Sequence, residues 1–305
     1  MDAVASALQK SGKVTFVEKN ILGKPASIPN DPWFSYQWHL TRINAPSAWD
    51  MTTGSAAAPI AVLDTGFYSS HPDLGPKLIG GYYPNGNSTN FEANNTACAP
   101  TSPGHGTYTS LAAGSATNNS YGAAGVAWQN PIMPVLISDP NCAFQLADAA
   151  EGITWATDNG AKIINMSWIF YYSPPPQTLI NAVNYALGKG VVMIAAAGND
   201  NENYHIDPAT GYSYPPYPQT ISGVTDENND RFSISCTDFW GVTKTCRPNY
   251  GSYLSVSAPG INITLSSNKV GYRWVGWGTS FSAPIVAGVA GLMLSANPNL
   301  TNTQV

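Results

Sequence analysis

Three short blocks of small residues each carry one polar side chain that can take part in acyl-transfer chemistry. Asp64 lies in Leu-Asp-Thr-Gly, His105 in Gly-His-Gly-Thr, and Ser280 in Gly-Thr-Ser-Phe-Ser-Ala-Pro. A serine hydroxyl is a weak nucleophile near neutral pH, so it needs an imidazole to take its proton and a carboxylate to orient that imidazole. The blocks together predict Ser280 as nucleophile, His105 as base and Asp64 as the orienting acid for attack on a carbonyl carbon.

Two other chemistries compete for the same blocks, and each lacks a required part. A strand-end Asp-Thr-Gly is also typical of aspartic proteases, which need two carboxylates sharing a proton, but no second Asp-Thr-Gly or Asp-Ser-Gly occurs in the chain. The spacing of Gly271 and Gly276 resembles a phosphate-binding loop, yet Trp277 stands where that loop requires a lysine. The sequence therefore excludes a nucleotide site here and disfavours the aspartic protease.

The choice of the base is narrow, because the chain has only four histidines. His39 follows a tryptophan near a Gly/Pro/Ser-rich linker, His71 lies in a turn, and His205 lies in a polar loop. His105 alone is flanked by glycines and begins a predicted helix. We therefore expect the other three to be structural.

Short apolar runs alternate with helical patterns along the chain. The runs at 59–63, 131–137, 161–166 and 191–196 are typical of strands buried on both faces, and the patterns at 145–158 and 178–187 predict helices. Strands that alternate with helices predict an α/β fold with a mostly parallel sheet covered by helices on both faces. Nearer the amino terminus, a short helix (3–9) and a strand (13–18) are predicted.

The carboxyl ends of the predicted strands are the place to look for a site. Asp64 follows the first apolar run, and Asn199 follows the fourth in a Gly-flanked loop, so both are expected to line one cleft. Asn199 would be a neutral hydrogen-bond donor there, although Asn is also favoured in left-handed turns. A small and apolar helix at 283–296, with Pro284 in its first turn, should present Ser280 at its amino end.

Composition limits the classes of protein that fit. The 305 residues contain 43% hydrophobic residues, enough for one large core or two modest ones, and the net charge of −5 disfavours nucleic acid as a partner. No run approaches 18 apolar residues, so no membrane span is expected. Few residues are charged (10%), as in many exported proteins, and the start of the chain lacks a secretory leader, so we expect any signal peptide to have been removed or not included.

The four cysteines form an even set without a Cys-x-x-Cys pair, which argues against zinc and thioredoxin-like chemistry. Cys236 and Cys246 flank a short polar segment rich in aromatic residues, as a disulfide that closes a hairpin would. Two bridges formed in an oxidising compartment are favoured, with four buried free thiols as the alternative.

The three blocks, in this order, resemble the subtilisin-like serine proteases, and most closely the thermitase-like branch of that family. Residues 30–34, 45–50 and His-Pro-Asp-Leu at 71–74 extend the resemblance over nearly the whole chain from about Asn30. It implies a three-layer subtilisin-like fold in a peptidase domain at 29–305, and a secreted serine endopeptidase that acts through an acyl-enzyme. Asp64, His105 and Ser280 would form the triad, with Asn199 as the oxyanion donor.

The resemblance also implies a substrate cleft, in which this chain departs from the family. The first edge, usually Ser-Leu-Gly-Gly, is here Ser167-Trp168-Ile169-Phe170, and the bulkier residues should narrow or reshape the primary pocket. The second edge is expected near 139–143, with Asn141 and Ala143 as substrate-binding residues. The preferred substrate side chain is therefore not predictable, and a catalytically weak or inactive, protein-binding homologue with an obstructed pocket remains the alternative.

The same resemblance implies a structural calcium site, and the expected position of the cleft suggests how the cysteines pair. The matching ligands are hard oxygen donors: the side chains of Asp31, Asp73 and Asn119, and the backbone carbonyls of Thr117, Tyr121 and Ala123. One disulfide would join Cys98 to Cys142 across the rim of the cleft, and the other, Cys236–Cys246, would close an insertion at 235–248.

Residues 1–28 are similar to the end of the family's inhibitory propeptide followed by a linker, and the carboxyl-terminal helix of the family is expected to be truncated here. The resemblance implies protein or peptide substrates, the protein's own propeptide as inhibitor and folding aid, and a monomer.

Overall fold

The computed structural model describes residues 3–17, 27–92, 104–169, 176–201, 220–225, 233–237, 243–251, 254–267 and 272–305. The helices are α1 (Ala3–Lys10), α2 (Trp38–Arg42), α3 (Ala45–Trp49), α4 (His105–Gly114), α5 (Leu146–Asp158), α6 (Gln177–Gly188) and α7 (Thr279–Ala296). The strands are β1 (Ile60–Asp64), β2 (Ile132–Leu136), β3 (Ile163–Met166), β4 (Val192–Ala196), β5 (Thr220–Thr225), β6 (Ile234–Thr237), β7 (Thr243–Cys246), β8 (Val256–Pro259), β9 (Ile263–Ser266) and β10 (Arg273–Gly276).

A six-stranded parallel sheet forms the centre of the molecule. Its strand order is β2-β1-β3-β4-β5-β8, and all of its neighbouring strands run parallel. Because β2 and β3 lie on opposite sides of β1, the chain changes direction across the sheet at β1. A crevice opens at such a point, beyond the carboxyl ends of the strands.

Alternate residues of the central strands belong to two separate cores. On one face, Ile60, Val62, Ile163, Val192 and Ile194 pack with the buried side chains of α4 and α7. On the other face, Ala61, Leu63, Ile164, Met166 and Met193 pack with those of α5 and α6. This alternation confirms the predicted α/β architecture with helices on both faces of a mostly parallel sheet, and it agrees with the three-layer subtilisin-like fold.

The packing of α4 against α7 brings their backbones close together. A Cβ atom built on Gly288 of α7 would lie 2.6 Å from the Ala113 carbonyl oxygen of α4 and 2.6 Å from Cβ of Val126. Such a contact is far too short, so glycine is required where these helices approach. Both helices begin at the edge of the sheet where β1 ends.

Helix α7 is longer than the predicted helix, and Pro284 lies inside it rather than in its first turn. Proline has no N–H, so the carbonyl of Ser280, four residues earlier, receives no helical hydrogen bond from this position. The Ser167 hydroxyl donates to that carbonyl instead, at 2.9 Å.

One expectation about the amino-terminal segment needs correction. Residues 13–17 form bends and irregular backbone rather than the predicted strand, while the helix before them is present. Among the described residues α7 is also long and apolar enough to cross a membrane, although 61% of it is buried inside the protein, as in a core helix.

Candidate active site

Asp64 and His105 are joined at the carboxyl end of β1. Nδ1 of His105 lies 2.8 Å from Oδ1 and 3.0 Å from Oδ2 of Asp64. His105 is the first residue of α4, and Gly106 permits this approach: a Cβ at Gly106 would lie 2.7 Å from the Gly66 carbonyl oxygen and 2.8 Å from Cβ of Asp64. The glycine after the histidine is therefore a steric requirement of the pair.

The Asp64 carboxylate is fully buried and held by further donors. The Thr65 N–H donates to Oδ1 at 2.7 Å, and the Thr109 hydroxyl donates to Oδ2 at 3.0 Å. Thr109 was not singled out from the sequence. Its spacing of four residues from His105 on a helix is the signal that could have found it, because residues so spaced share one helix face.

The environment of His105 favours the protonated imidazole. Burial alone would lower the pKa of His105, but the charge of Asp64 and its hydrogen bond to Nδ1 outweigh burial and raise that pKa above its usual value. The side chain is still 36% exposed, so its other edge is reachable from the cleft.

Ser280 is the second residue of α7, directly before a residue whose ring contacts the imidazole. The ring of Phe281, its neighbour in the chain, lies edge-on to the His105 ring with centroids 6.0 Å apart. The Ser280 hydroxyl donates to the Ser167 carbonyl at 3.2 Å, and no hydrogen bond joins Ser280 to His105 in the described part of the chain. Catalytic hydrogen bonds are often unformed without substrate, so this orientation does not argue against the pair.

Asn199 lies on the loop that follows β4, beside the start of α7. Its Oδ1 accepts hydrogen bonds from the N–H of Thr279 at 3.0 Å and from the Thr279 hydroxyl at 3.2 Å. Because the oxygen is held in this way, the orientation of the Nδ2 group is fixed. The positive φ angles of this loop are those of Gly198 and Asn201, so Asn199 is not placed here for a left-handed turn.

A cavity of about 250 Å³ opens beside Ser280 and Asn199. The predicted first edge lines it with Ser167, Trp168 and Ile169. Cδ1 of Ile169 lies only 2.9 Å from the place where a Cβ on Gly198 would be, so the isoleucine extends across the cavity toward that glycine. Phe170 lies outside the described residues.

The second predicted edge lies in the turn after β2. Asn141 and Ala143 donate backbone hydrogen bonds to Oδ1 of Asp139 at 2.8 and 2.9 Å, and neither residue lines the cavity beside Ser280. Their role as substrate-binding residues stays a prediction.

Two of the other histidines are buried and uncharged. Burial lowers the pKa of His39 to about 3 and that of His71 to about 4, so both are neutral near pH 7. These values agree with the structural role expected for them. His205 lies outside the described residues.

The residues predicted to hold calcium are brought together in part. Asp31 and Asp73 are buried and close enough that the charge of Asp31 adds to the effect of burial in raising the pKa of Asp73 to about 6. Burial also raises the pKa of Asp31, whose Oδ1 has no hydrogen-bond partner in the described part of the chain. Buried carboxylates that have no basic partner among the described residues, one of them with an orphaned oxygen, have the chemistry that a hard cation requires.

The other predicted ligands fit less directly. Nδ2 of Asn119 donates to Oδ1 of Asp73 at 2.8 Å, while Oδ1 of Asn119 accepts from the N–H of Tyr121 at 2.9 Å. A half-turn of the amide would exchange its oxygen and nitrogen without changing its shape. The N–H of Ala123 points to Asp73 at 3.4 Å, and the hydroxyl of Ser266, which the sequence did not suggest, also donates to Asp73.

Thr117 lies at the same loop, where its hydroxyl donates to the Ser115 carbonyl at 2.9 Å. Among the described residues, no group of three or more His, Cys, Asp or Glu side chains could hold a metal ion. The calcium ligand set therefore stays a prediction that rests on two carboxylates, one amide and backbone carbonyls.

The disulfide Cys236–Cys246 is present and joins β6 to β7. The predicted partner of Cys142, Cys98, lies outside the described residues, so the bridge across the rim stays a prediction.

Comparison with known proteins agrees with this geometry. A model of the subtilase family matches residues 55–305. The thermophilic serine proteinase of Bacillus sp. (strain AK1) is 36% identical over 304 residues, which cover 98% of this chain and 68% of that protein. Thermitase of Thermoactinomyces vulgaris is 38% identical over 278 residues, which cover 90% of this chain and 88% of thermitase.

A solved structure of a protease from Pseudoalteromonas arctica PAMC 21717 has the same fold. Its TM-score is 0.69 at 30% identity, over 90% of this chain and 89% of that one. The chain therefore belongs to the subtilase family of serine endopeptidases.

Proposed function

We propose that this protein is a secreted serine endopeptidase in which Asp64, His105 and Ser280 form the catalytic triad. The hydrogen-bonded pair of Asp64 and His105, next to the amino end of α7, is the observation that supports it most. With Nδ1 of the imidazole facing a buried carboxylate, the proton stays on Nδ1 and Nε2 is left as the base.

The reaction would proceed in two halves. Ser280 Oγ forms a bond to the carbonyl carbon while its proton passes to Nε2 of His105. The carbon–nitrogen bond then breaks as that proton passes to the leaving amine, which gives an acyl-enzyme. In the second half, water attacks the ester, gives its proton to His105, and Ser280 recovers a proton as the acid leaves.

The charge that develops on the carbonyl oxygen would be stabilised from two sides. Nδ2 of Asn199 would donate one hydrogen bond, because Oδ1 is held by Thr279. The N–H of Ser280, in the first turn of α7, would donate the other at the positive end of the helix dipole. Both donors would then be in position before substrate arrives.

The Ser280 hydroxyl must first leave the Ser167 carbonyl. Rotation about one side-chain bond separates staggered positions of a serine, so this step is fast compared with catalysis. A peptide strand lying along Ser167–Ile169 would also compete for that carbonyl by backbone pairing.

A fluorophosphonate probe tests the proposal directly. It should label Ser280 and abolish peptide hydrolysis, and Ser280→Ala should remove labelling and lower kcat by about 10⁶-fold with an unchanged melting temperature. No labelling of a folded protein would instead support the inactive, protein-binding alternative.

Calcium is proposed as a structural ion held by Asp31, Asp73 and Asn119 and by the carbonyls of Thr117, Tyr121 and Ala123. When bound, the cation would neutralise two buried carboxylates and stabilise the loop at 117–123. A chelator should therefore lower the melting temperature, and added Ca²⁺ should restore it more than equal Mg²⁺ does. An unchanged melting temperature in chelator would remove the ion from the proposal.

Secretion, the role of the propeptide and the monomeric state are proposed from the family resemblance. Bridges such as Cys236–Cys246 form and persist in oxidising compartments, which supports an extracellular location. Peptides and proteins would be the substrates, and the protein's own propeptide would act as inhibitor and folding aid.

A further inference from the structure

One wall of the cavity beside Ser280 comes from a hairpin outside the central sheet. Strands β6 and β7 form a two-stranded antiparallel sheet of their own, in which Lys244 lies opposite Cys236. The disulfide Cys236–Cys246 closes this hairpin across one end, with Cα atoms 5.8 Å apart. Lys244 and Cys246 both line the cavity.

Backbone hydrogen bonds fasten the end of this hairpin to the loop that carries Asn199. The N–H of Arg247 donates to the Asn199 carbonyl at 3.2 Å, and the N–H of Asn201 donates to the Arg247 carbonyl at 3.1 Å. The N–H of Asn249 donates to the Gly198 carbonyl at 2.9 Å. The position of Lys244 is therefore tied to that of the proposed oxyanion donor.

The cavity contains a pair of opposite charges. Nζ of Lys244 lies 3.0 Å from Oδ1 of Asp200, the residue after Asn199, and both side chains line the cavity. All of the other lining residues are neutral, and three of them, Trp168, Ile169 and Trp277, carry large apolar side chains. Without Lys244, the cavity would present a carboxylate beside apolar rings.

We propose that Lys244 determines the side-chain preference of this cavity by neutralising Asp200, so that the cavity takes the uncharged side chain preceding the scissile bond. This inference rests on the proposed function, since it names the substrate class of the same site. A cationic substrate side chain would have to displace the ammonium from Asp200, and an anionic one would have to displace the carboxylate from Lys244. An aromatic or aliphatic side chain can pack on Trp168, Ile169 and Trp277 and leaves the ion pair intact.

Three peptides that differ only in the residue before the scissile bond (Phe, Arg or Glu) test this inference. The unaltered protein should cleave the Phe peptide with the highest kcat/KM. Lys244→Met should raise kcat/KM for the Arg peptide about fivefold relative to Phe, because Asp200 then loses its ion pair with Lys244, and the gain should fall in 1 M salt. Asp200→Asn should raise kcat/KM for the Glu peptide relative to Phe to a similar extent. The double variant, Lys244→Met with Asp200→Asn, should again prefer the Phe peptide.

Two matched variants separate charge from other effects. Lys244→Arg keeps the charge and should keep the preference of the unaltered protein. Lys189→Met changes net charge equally at the residue directly after α6, before the start of β4, and should leave all three rates in the same proportion.

The possible failures are distinguishable. If the fluorophosphonate probe labels Ser280 and the Phe peptide is cleaved, but Lys244→Met does not favour Arg, only the role of Lys244 is overturned. Equal rates for the Phe, Arg and Glu peptides with the unaltered protein would overturn it too. If no peptide is cleaved and Ser280 is not labelled, the proposed function fails and this inference fails with it.

Discussion

The proposed catalytic residues and the wall of the neighbouring cavity are built from different kinds of structure. Asp64, His105 and Ser280 lie at the ends of β1, α4 and α7, and all three elements contribute side chains to the same core. Lys244 lies on a separate hairpin that is closed by a disulfide and fastened to the Asn199 loop by backbone hydrogen bonds. The chemistry therefore depends on packing of the whole fold, whereas the side-chain preference depends on an attachment that can change separately.

The largest effect on catalysis should come from a substitution in the elements that form the core, at Asp64. Asp64→Asn should lower kcat by about 10⁴-fold, because the amide no longer selects the tautomer with Nε2 as base. The substitution should also move the rising limb of the pH profile of kcat/KM to lower pH. Asp64 holds the pKa of His105 above its usual value, and only the neutral imidazole is a base, so removing the carboxylate lowers the pH at which His105 loses its proton.

A pH-rate series on both proteins, with single-turnover kinetics, measures the two effects together. An unmoved limb in Asp64→Asn would mean that the limb reports another group than His105. Unchanged kcat would remove Asp64 from the triad.

An intermediate effect is expected where the two regions meet, at Asn199. Asn199→Leu keeps the volume but removes the N–H donors, so kcat should fall by about 10²- to 10³-fold with little change in KM. Steady-state kinetics on one peptide separate the change in kcat from the change in KM. A rise in KM with kcat unchanged would assign Asn199 to substrate binding rather than to the transition state.

The smallest effect on catalysis should come from the hairpin side. Replacing Cys236 and Cys246 together by alanine releases the hairpin but leaves the contacts of the triad in place. The rate of Ser280 labelling should therefore change less than about twofold, while the preference for Phe over Arg and Glu should weaken by up to about fivefold. A large loss of labelling would show that the hairpin supports the catalytic geometry. The chemistry and the side-chain preference would then not depend on separate parts of the fold.

Local patterns predicted the core side of the molecule well. Strands β1 to β4 are short runs buried on both faces, and each lies within one or two residues of its predicted position, since a continuous apolar run has only one favourable environment in a parallel sheet. The pairing of Asp64 with His105 was predictable because each motif fixes its own strand end or helix start. The strand expected at residues 13–18 did not form over its described part, because no neighbouring strand pairs with it there.

The hairpin side could not be predicted in the same way. Lys244 and Asp200 are separated by 44 residues, and nothing in either local sequence indicates that they meet. Their contact depends on backbone pairing between the Asn199 loop and residues 247–249, which is a long-range property of the folded chain. Cysteine spacing did indicate a closed hairpin, but not the surface against which it packs.

Glycine at position 288 has a consequence that reaches beyond its own surroundings. It lies eight positions after Ser280, about 12 Å along the helix at the usual rise per residue, where α7 touches the end of α4 far from His105. A methyl group added there would push two helices apart at a depth that no peptide reaches, and the gap between hydroxyl and imidazole would change with it. Substitutions that weaken hydrolysis should accordingly be found among the smallest buried residues as well as around the cavity beside Ser280.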